Sequence, residues 1–500
     1  MLVPIDLPPG VYKNGTEYEA KGRWRDVNLI RWYNGRLRPV GGWQRFSAQP
    51  VSGSPRALMT WRSNDATPRL AIGTPSHLYI HDGSLAYDIS PSDLVPGRET
   101  GNIGLGYGAD VYSKSTYGTP RTVSGLVLDA TVWDLDTYGQ NLIALSPADG
   151  RIFMWTPPNT GARAAVIDPT APTRNRGVIV TDERFVVALG ANGDPRNITW
   201  CSQEDYTQWT ATATNTAGSL QLNTNGVVMN ARRMPGETLI FTDLDVHSMR
   251  FEGTPFVYGI QRVGSSCGLI GRKAHAATQN FCVWMGPRGF FLYDGVVRPL
   301  ACDVQEHVFD NINPLQASKV IAGVNAQFSE IWWFYPSLNS NENDRYVVWN
   351  YVENWWSVGK LQRTAWSDRD VWPYPIAADA NGVLYQHEQG WTDSGVTRVG
   401  QVYAESGPFD LGNGDNLLCA KQLLPDTNVG GGASLAFTFK TRFTPTGAET
   451  TAGPYLFTRP DGYVDVRFTG RQAKLRIEAR TDALFQFGTL RVDGDPGGRR

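Results

Sequence analysis

Gly264-Ser265-Ser266-Cys267-Gly268 fits the G-x-S-x-G pattern that presents a nucleophilic serine. That chemistry needs a strand before the serine and a helix after it, on a parallel sheet. Here strand-like text flanks both sides and no helical periodicity follows, so the pentapeptide reads as a turn. His77 and His81 stand four residues apart on one face of a strand-like run. A closed zinc site wants four ligands, and no third His, Cys or carboxylate lies nearby in sequence. Gly104, Gly106 and Gly108 imitate a phosphate loop, but no Lys-Ser/Thr follows them and no strand-then-helix unit frames them. Asp182, Glu183, Glu204, Asp205, Asp243 and Asp245 offer carboxylates for acid–base work, and solvated turns account for them more simply. The aromatic run Glu330–Pro336 (EIWWFYP), with 346–359, has the makings of a sugar platform. Aromatics at alternating strand positions more often pack a core. The expectation is therefore no catalytic residue, no metal ligand set and no cofactor.

The text that would have to position such residues is repetitive. FCVWMGPRGFFLYD at 281–294 is an apolar run, a turn at Pro287-Arg288-Gly289, and a second apolar run. The same unit returns at 69–89, 141–155 and 374–387. Short strands joined by Gly, Asn, Asp and Pro turns, recurring roughly every 35–45 residues, predict an all-β chain built as a β-propeller. Blade-like units fall at about 55–91, 128–157, 177–222, 227–263, 273–301 and 319–363, with a last pair of strands near 374–388. That pair is too short for a blade. The hairpin at 28–46, turning at Asn34-Gly35, is the natural segment to complete it. The count is seven blades, or six if two units merge. Ser146–Trp155 comes nearest to the Ser-x-Asp-x-Gly-x-Thr-Trp turn of glycosidase propellers, but Asp149 and Gly150 are adjacent and break the spacing.

The predicted layout is an irregular lead-in at 1–27, a propeller at 28–395 and a C-terminal β-sandwich at 400–500. Leu435, Phe437, Phe439, Leu475 and Ile477 alternate along strands of the sandwich and share its buried face. Its polar faces carry Lys440, Arg442, Arg467, Arg471 and Arg476, cations suited to an acidic partner surface. An insertion at about 96–125 is rich in Gly and Tyr. Tyr107, Tyr112 and Tyr117 are the candidate partner-contact residues, because tyrosine gives contact area at low entropic cost.

Composition narrows the function. Net charge is −2, without the basic excess of a protein that grips nucleic acid, although a polyanion in transit is compatible with it. Five scattered cysteines argue against a disulfide framework and for a reducing site of folding. No apolar run approaches the ~20 residues of a membrane span. The opening MLVPIDLPPGVY lacks the basic and apolar regions of a signal peptide.

Several strings, in shared order, resemble one family. They are Gly22-Arg23-Trp24, Asn28-Leu29-Ile30-Arg31 and Arg38–Trp43; LAIGTPSHLYI; ITWCSQEDYTQW at 198–209; the tract from VWMGPRGFFLYDG through CDVQEHVFDNIN to EIWWFYP; and VRFTGRQAKLRIEA with the terminal Gly-Gly-Arg-Arg. Together they cover most of the chain and resemble the tail nozzle proteins (tail tubular protein B) of short-tailed bacteriophages. The resemblance implies a structural virion protein, made in the host bacterial cytoplasm and resident in the virion tail. It implies a homo-oligomeric ring, usually a hexamer, beneath the head-to-tail adaptor. Tail fibres or spikes dock near such a ring, and double-stranded DNA passes through it transiently. Known nozzles look six-bladed, one fewer than the unit count here. Two other readings compete: a propeller glycoside hydrolase or depolymerase, and a monomeric carbohydrate-binding module.

Overall fold

A computed structural model describes residues 2–103, 127–410, 416–429, 432–444, 447–458 and 462–498. The chain forms an all-β propeller joined to a β-sandwich. Seven four-stranded antiparallel sheets make the blades. Blades 1 to 6 run in chain order, opening with strands Ala57–Arg62, Asp134–Tyr138, Gly177–Val180, Val228–Met234, His275–Ala277 and Ile321–Asn325. Blade 7 takes Ala365–Ser367, Ile376–Ala378 and Leu384–His387, and its outermost strand is Trp43–Arg45 from near the N-terminus. Trp43 pairs with His387 and Arg45 with Tyr385, so the ring closes with strands from both halves of the chain. Closure gives blade 7 the fourth strand that its own segment lacks.

Only part of the expected closing hairpin does this work. Ile30–Tyr33 and Arg36–Pro39 do form a hairpin, with Asn34 and Gly35 both at positive φ (51° and 72°), as a type I′ turn demands. That hairpin belongs to the sandwich, where Leu37 pairs with Phe487. The stretch read as an irregular lead-in is also partly strand. Leu2–Ile5 pairs with Phe485–Pro496, and Trp24–Asn28 pairs with Tyr403–Ser406. The sandwich is thus woven from both chain ends, because its two six-stranded sheets need strands that 400–500 alone cannot supply. Local pattern finds a strand but not its partner.

Leu435, Phe437, Phe439, Leu475 and Ile477 are all buried between the two sheets. Phe439 stacks on Phe468 at 4.4 Å and Phe437 meets Phe487 at 6.1 Å, each pair spanning the sheets. One continuous apolar cluster runs from this core through Trp24, Trp32 and Trp355 into blades 5 and 6. Glu330–Tyr335 is buried at every position. Its aromatics pack between blades: Trp332 stacks on Trp366 of blade 7 at 6.1 Å, and Trp333 meets Phe290 of blade 5 at 4.9 Å. Each such ring removes roughly 150–250 Å² from water, which explains why the aromatic run is structural.

Buried ions also bind the two parts. Arg31 of the hairpin reaches Glu330 of blade 6 (2.9 Å) and Glu388, just past blade 7 (2.6 Å). Glu353 of blade 6 accepts the backbone N–H groups of Asn34 (2.8 Å) and Gly35 (3.2 Å) at the hairpin turn.

Candidate functional site: the axial cavity

The first strand of each blade lies innermost, and the seven enclose a cavity of about 310 Å³. Small apolar residues (Ala57, Ala231, Ala322, Ala365) let the strands converge, while longer polar ones point between them. The polar lining is Arg56, Asp136, Asn230, Arg232, Arg233, Lys273 and His275. These come from blades 1, 2, 4 and 5, or from the turns that lead into them.

Most of these charges are tied. Arg233 donates to Asp136 at 2.9 Å, and the backbone N–H of Val180 donates to the same carboxylate at 2.8 Å. Burial still holds the Asp136 carboxyl above its ordinary range. Behind it, buried Asp134 takes Arg272 (2.9 Å) and Lys273 (2.7 Å). Gly177 makes room for that pair, since a Cβ there would sit 2.4 Å from Asp134 Oδ2. Arg56 forms a two-pronged pair with Glu342 (2.6 and 2.7 Å), which also accepts Lys319 at 2.7 Å. Two residues are not tied. The exposed Arg232 side chain makes no hydrogen bond or ion pair among the described residues. His275 is buried against Phe241, its ring stacked at 5.2 Å, and neither ring nitrogen has a hydrogen-bond partner. Burial, then the nearby Arg232, Lys273 and Arg272, drive its pKa well below the usual histidine value, so the ring is neutral.

This arrangement does not support hydrolysis by paired carboxylates. Glycosidases set two carboxyl groups about 5–9.5 Å apart across the scissile bond. Asp136 is the one acid among the cavity-lining residues described, and Arg233 engages it. The cavity is also far too small for a nucleic-acid duplex, whose major groove alone is about 12 Å wide.

The residues singled out from sequence lie elsewhere. Gly264–Gly268 ends the last strand of blade 4 (Val257–Ser265) and turns into blade 5, with no helix after it. Cys267 in that turn is buried, which pushes its thiol up to about 11. His77 contacts Ser76 (2.8 Å) and stacks on Tyr79, whereas His81 is buried beneath Phe46, its Nδ1 accepting from Gly83 N at 3.0 Å. No His, Cys, Asp and Glu group fit for a metal occurs among the described residues. Glu183, Glu204 and Asp205 occupy turns of blade 3. Asp243 sits in a bend of blade 4, and buried Asp245 opens its third strand (Asp245–Gly253), where it accepts from Thr242 (2.6 Å) and Thr224 (2.8 Å). Of the sandwich cations, Lys440 and Arg476 pair with Glu405 (2.6 and 3.4 Å) and Arg442 pairs with Glu17 (3.2 Å). Those three are engaged within the chain. Gly104, Gly106, Gly108, Tyr107, Tyr112 and Tyr117 lie outside the described residues. The stem of that insertion is described: Asn102–Ile103 pairs with Val127–Leu128, and Gly101 exchanges two hydrogen bonds with Gln316 (2.9 and 3.0 Å).

Sequence reading missed the cavity because its residues are spread from 56 to 366. The available signal was Arg232-Arg233 in the opening strand of a blade, where neighbouring blades carry apolar or acidic residues.

No family model matches the chain, and no curated protein matches its sequence. The fold is similar to that of the WD40 domain of Neurospora crassa Pan2, at 9% identity, covering 69% of this chain and 94% of that one with a TM-score of 0.40. It is similar to YCF48 bound to D1 peptide, at 11% identity, covering 70% and 97% with a TM-score of 0.39. It is also similar to the AfRom2 CNH domain, at 13% identity, covering 55% and 89% with a TM-score of 0.34. The likeness is one of fold alone.

Proposed function

We propose that this protein is a structural subunit of a short-tailed phage tail, a nozzle that assembles with copies of itself into a ring around the path of the genome. The carrying observation is the ordered set of nozzle-like strings spread over most of the chain. Two structural features agree with it. The propeller and the sandwich share one core and a buried Arg31–Glu330–Glu388 link, as suits a subunit that bears load without flexing between its parts. The propeller axis cannot pass a duplex, so in this reading the DNA path runs between subunits and not through them. A mild net charge suits a conduit through which DNA must slide. In this reading the ring is a hexamer, closed by rotation, with the head-to-tail adaptor above and fibres or spikes beside it.

Electron microscopy of the purified full-length protein, with its mass in solution, tests the proposal. The expected result is a closed ring whose central hole admits a duplex. A monomer that cleaves or binds host surface polysaccharide would replace this reading with the hydrolase or the carbohydrate-binding module.

A further inference from the structure

We propose that the axial cavity of the propeller is a binding site for a small oxyanion of the phosphate class. The inference is independent of the nozzle reading.

Charge balance comes first. Arg56, Arg232, Arg233 and Lys273 line the cavity, with Arg272 and Lys319 directly behind. The carboxylates in ion pairs with these cations are three, Asp134, Asp136 and Glu342, and Glu99 acts on Lys319 at longer range. Asp129 nearby lies among Arg98, Arg176 and Arg272, so widening the circle does not restore neutrality. A positive excess inside a narrow, partly desolvated space attracts a small anion far more strongly than the same charge would on an open surface.

Unused donors come second. The Arg232 side chain lines the cavity, is exposed to solvent, and makes no side-chain hydrogen bond or ion pair among the described residues, acting on Asp136 only at longer range. His275 is 8% exposed, lines the same cavity, and leaves both ring nitrogens unpartnered. A buried polar ring is ordinarily hydrogen-bonded, because leaving it unmatched is costly. Its stack on Phe241 fixes the ring plane, and both ring nitrogens are shielded from solvent, so the ring forms part of the cavity wall. The guanidinium fork of Arg232 suits two oxygens of one phosphate, and the Lys273 ammonium adds a point charge. At about 310 Å³ the space is at the low end for small-molecule sites, which excludes a polymer and suits a free oxyanion or a small phosphorylated molecule.

Calorimetric titration of the full-length protein with inorganic phosphate, at constant ionic strength, tests this. Succinate forms a parallel arm. Arg232→Gln is the diagnostic variant, since Arg232 holds no other group in place. Arg298→Gln, on the outermost strand of blade 5, is the control. The expected result is saturable one-site binding of phosphate, weakened by about ten-fold or more in Arg232→Gln and unchanged in Arg298→Gln. Three results would overturn the proposal: no saturable phosphate binding by the unsubstituted protein up to about 10 mM, equal affinity in Arg232→Gln, or tighter binding of succinate than of phosphate.

Discussion

Replacing Glu330 with glutamine isolates one proton at the junction of hairpin and propeller. Among the described residues Arg31 alone makes ion pairs with both Glu330 and Glu388, all three side chains are buried, and Arg38 acts on the two carboxylates only at longer range. One guanidinium cannot neutralise two carboxylates, and an uncompensated buried charge is expensive. Glu388 receives further donors from Gly41 N (3.1 Å) and Asn325 Nδ2 (3.0 Å). Glu330 adds only Trp332 Nε1, at 2.9 Å. Burial, opposed by Arg31 and reinforced by Glu388, raises Glu330 from its ordinary 4.5 to about 7. Below pH 4.5 the carboxyl carries its proton in both folded and unfolded chains. Between 4.5 and about 7 the folded chain keeps a proton that the unfolded chain has released, so stability from this group falls as pH rises. At about 1.4 kcal/mol per pKa unit, the loss amounts to about 3 kcal/mol. Glutamine mimics the neutral acid and cannot lose the proton. The stability of Glu330→Gln relative to the unsubstituted protein should therefore improve by up to about 3 kcal/mol from pH 4.5 to pH 7.5. Paired urea titrations at steps across this range measure the gap. A gap that stays flat, or that moves against the variant, refutes the reasoning.

Arg31→Met should act in the opposite sense, destabilising by about 3–5 kcal/mol at pH 8 and by less at pH 5, where the stranded Glu330 carboxyl carries a proton; denaturant midpoints at the two pH values check this. Trp43→Ala removes the Nε1 bond to Asp393 (2.6 Å) and the stack on His387 (5.4 Å) at the ring closure. It should cost about 3–5 kcal/mol, read from chemical denaturation. Gly323→Ala places a Cβ 2.1 Å from the Trp366 ring. The clash should cost about 1–3 kcal/mol and shift the near-ultraviolet tryptophan signal. A chain ending at residue 398 strips the partners from Leu2–Ile5 and Trp24–Asn28, so it should aggregate rather than melt cooperatively, as light scattering would show.

Strand text at 69–89, 281–294 and 434–440 was readable because side-chain alternation and turn residues are local properties. The seven units, the Asn34-Gly35 hairpin and the buried face carrying Leu435, Phe437 and Phe439 all follow from such short-range rules. Partner choice is not local. Nothing near residue 30 says that its hairpin will pair beside Phe487 while Trp43–Arg45 crosses to blade 7. The same limit hid the cavity. Arg56, Asp136, Arg232, Lys273 and His275 are ordinary strand or turn residues until ring closure points them at one axis. Charge in the sequence is nearly balanced, at −2 over 500 residues, and only the tertiary structure concentrates an uncompensated positive excess at the centre. Strand propensity is set by neighbours along the chain. Sheet pairing and the field inside the ring are set by residues hundreds of positions apart, brought together when burial of the shared core outweighs the entropy of closing those loops.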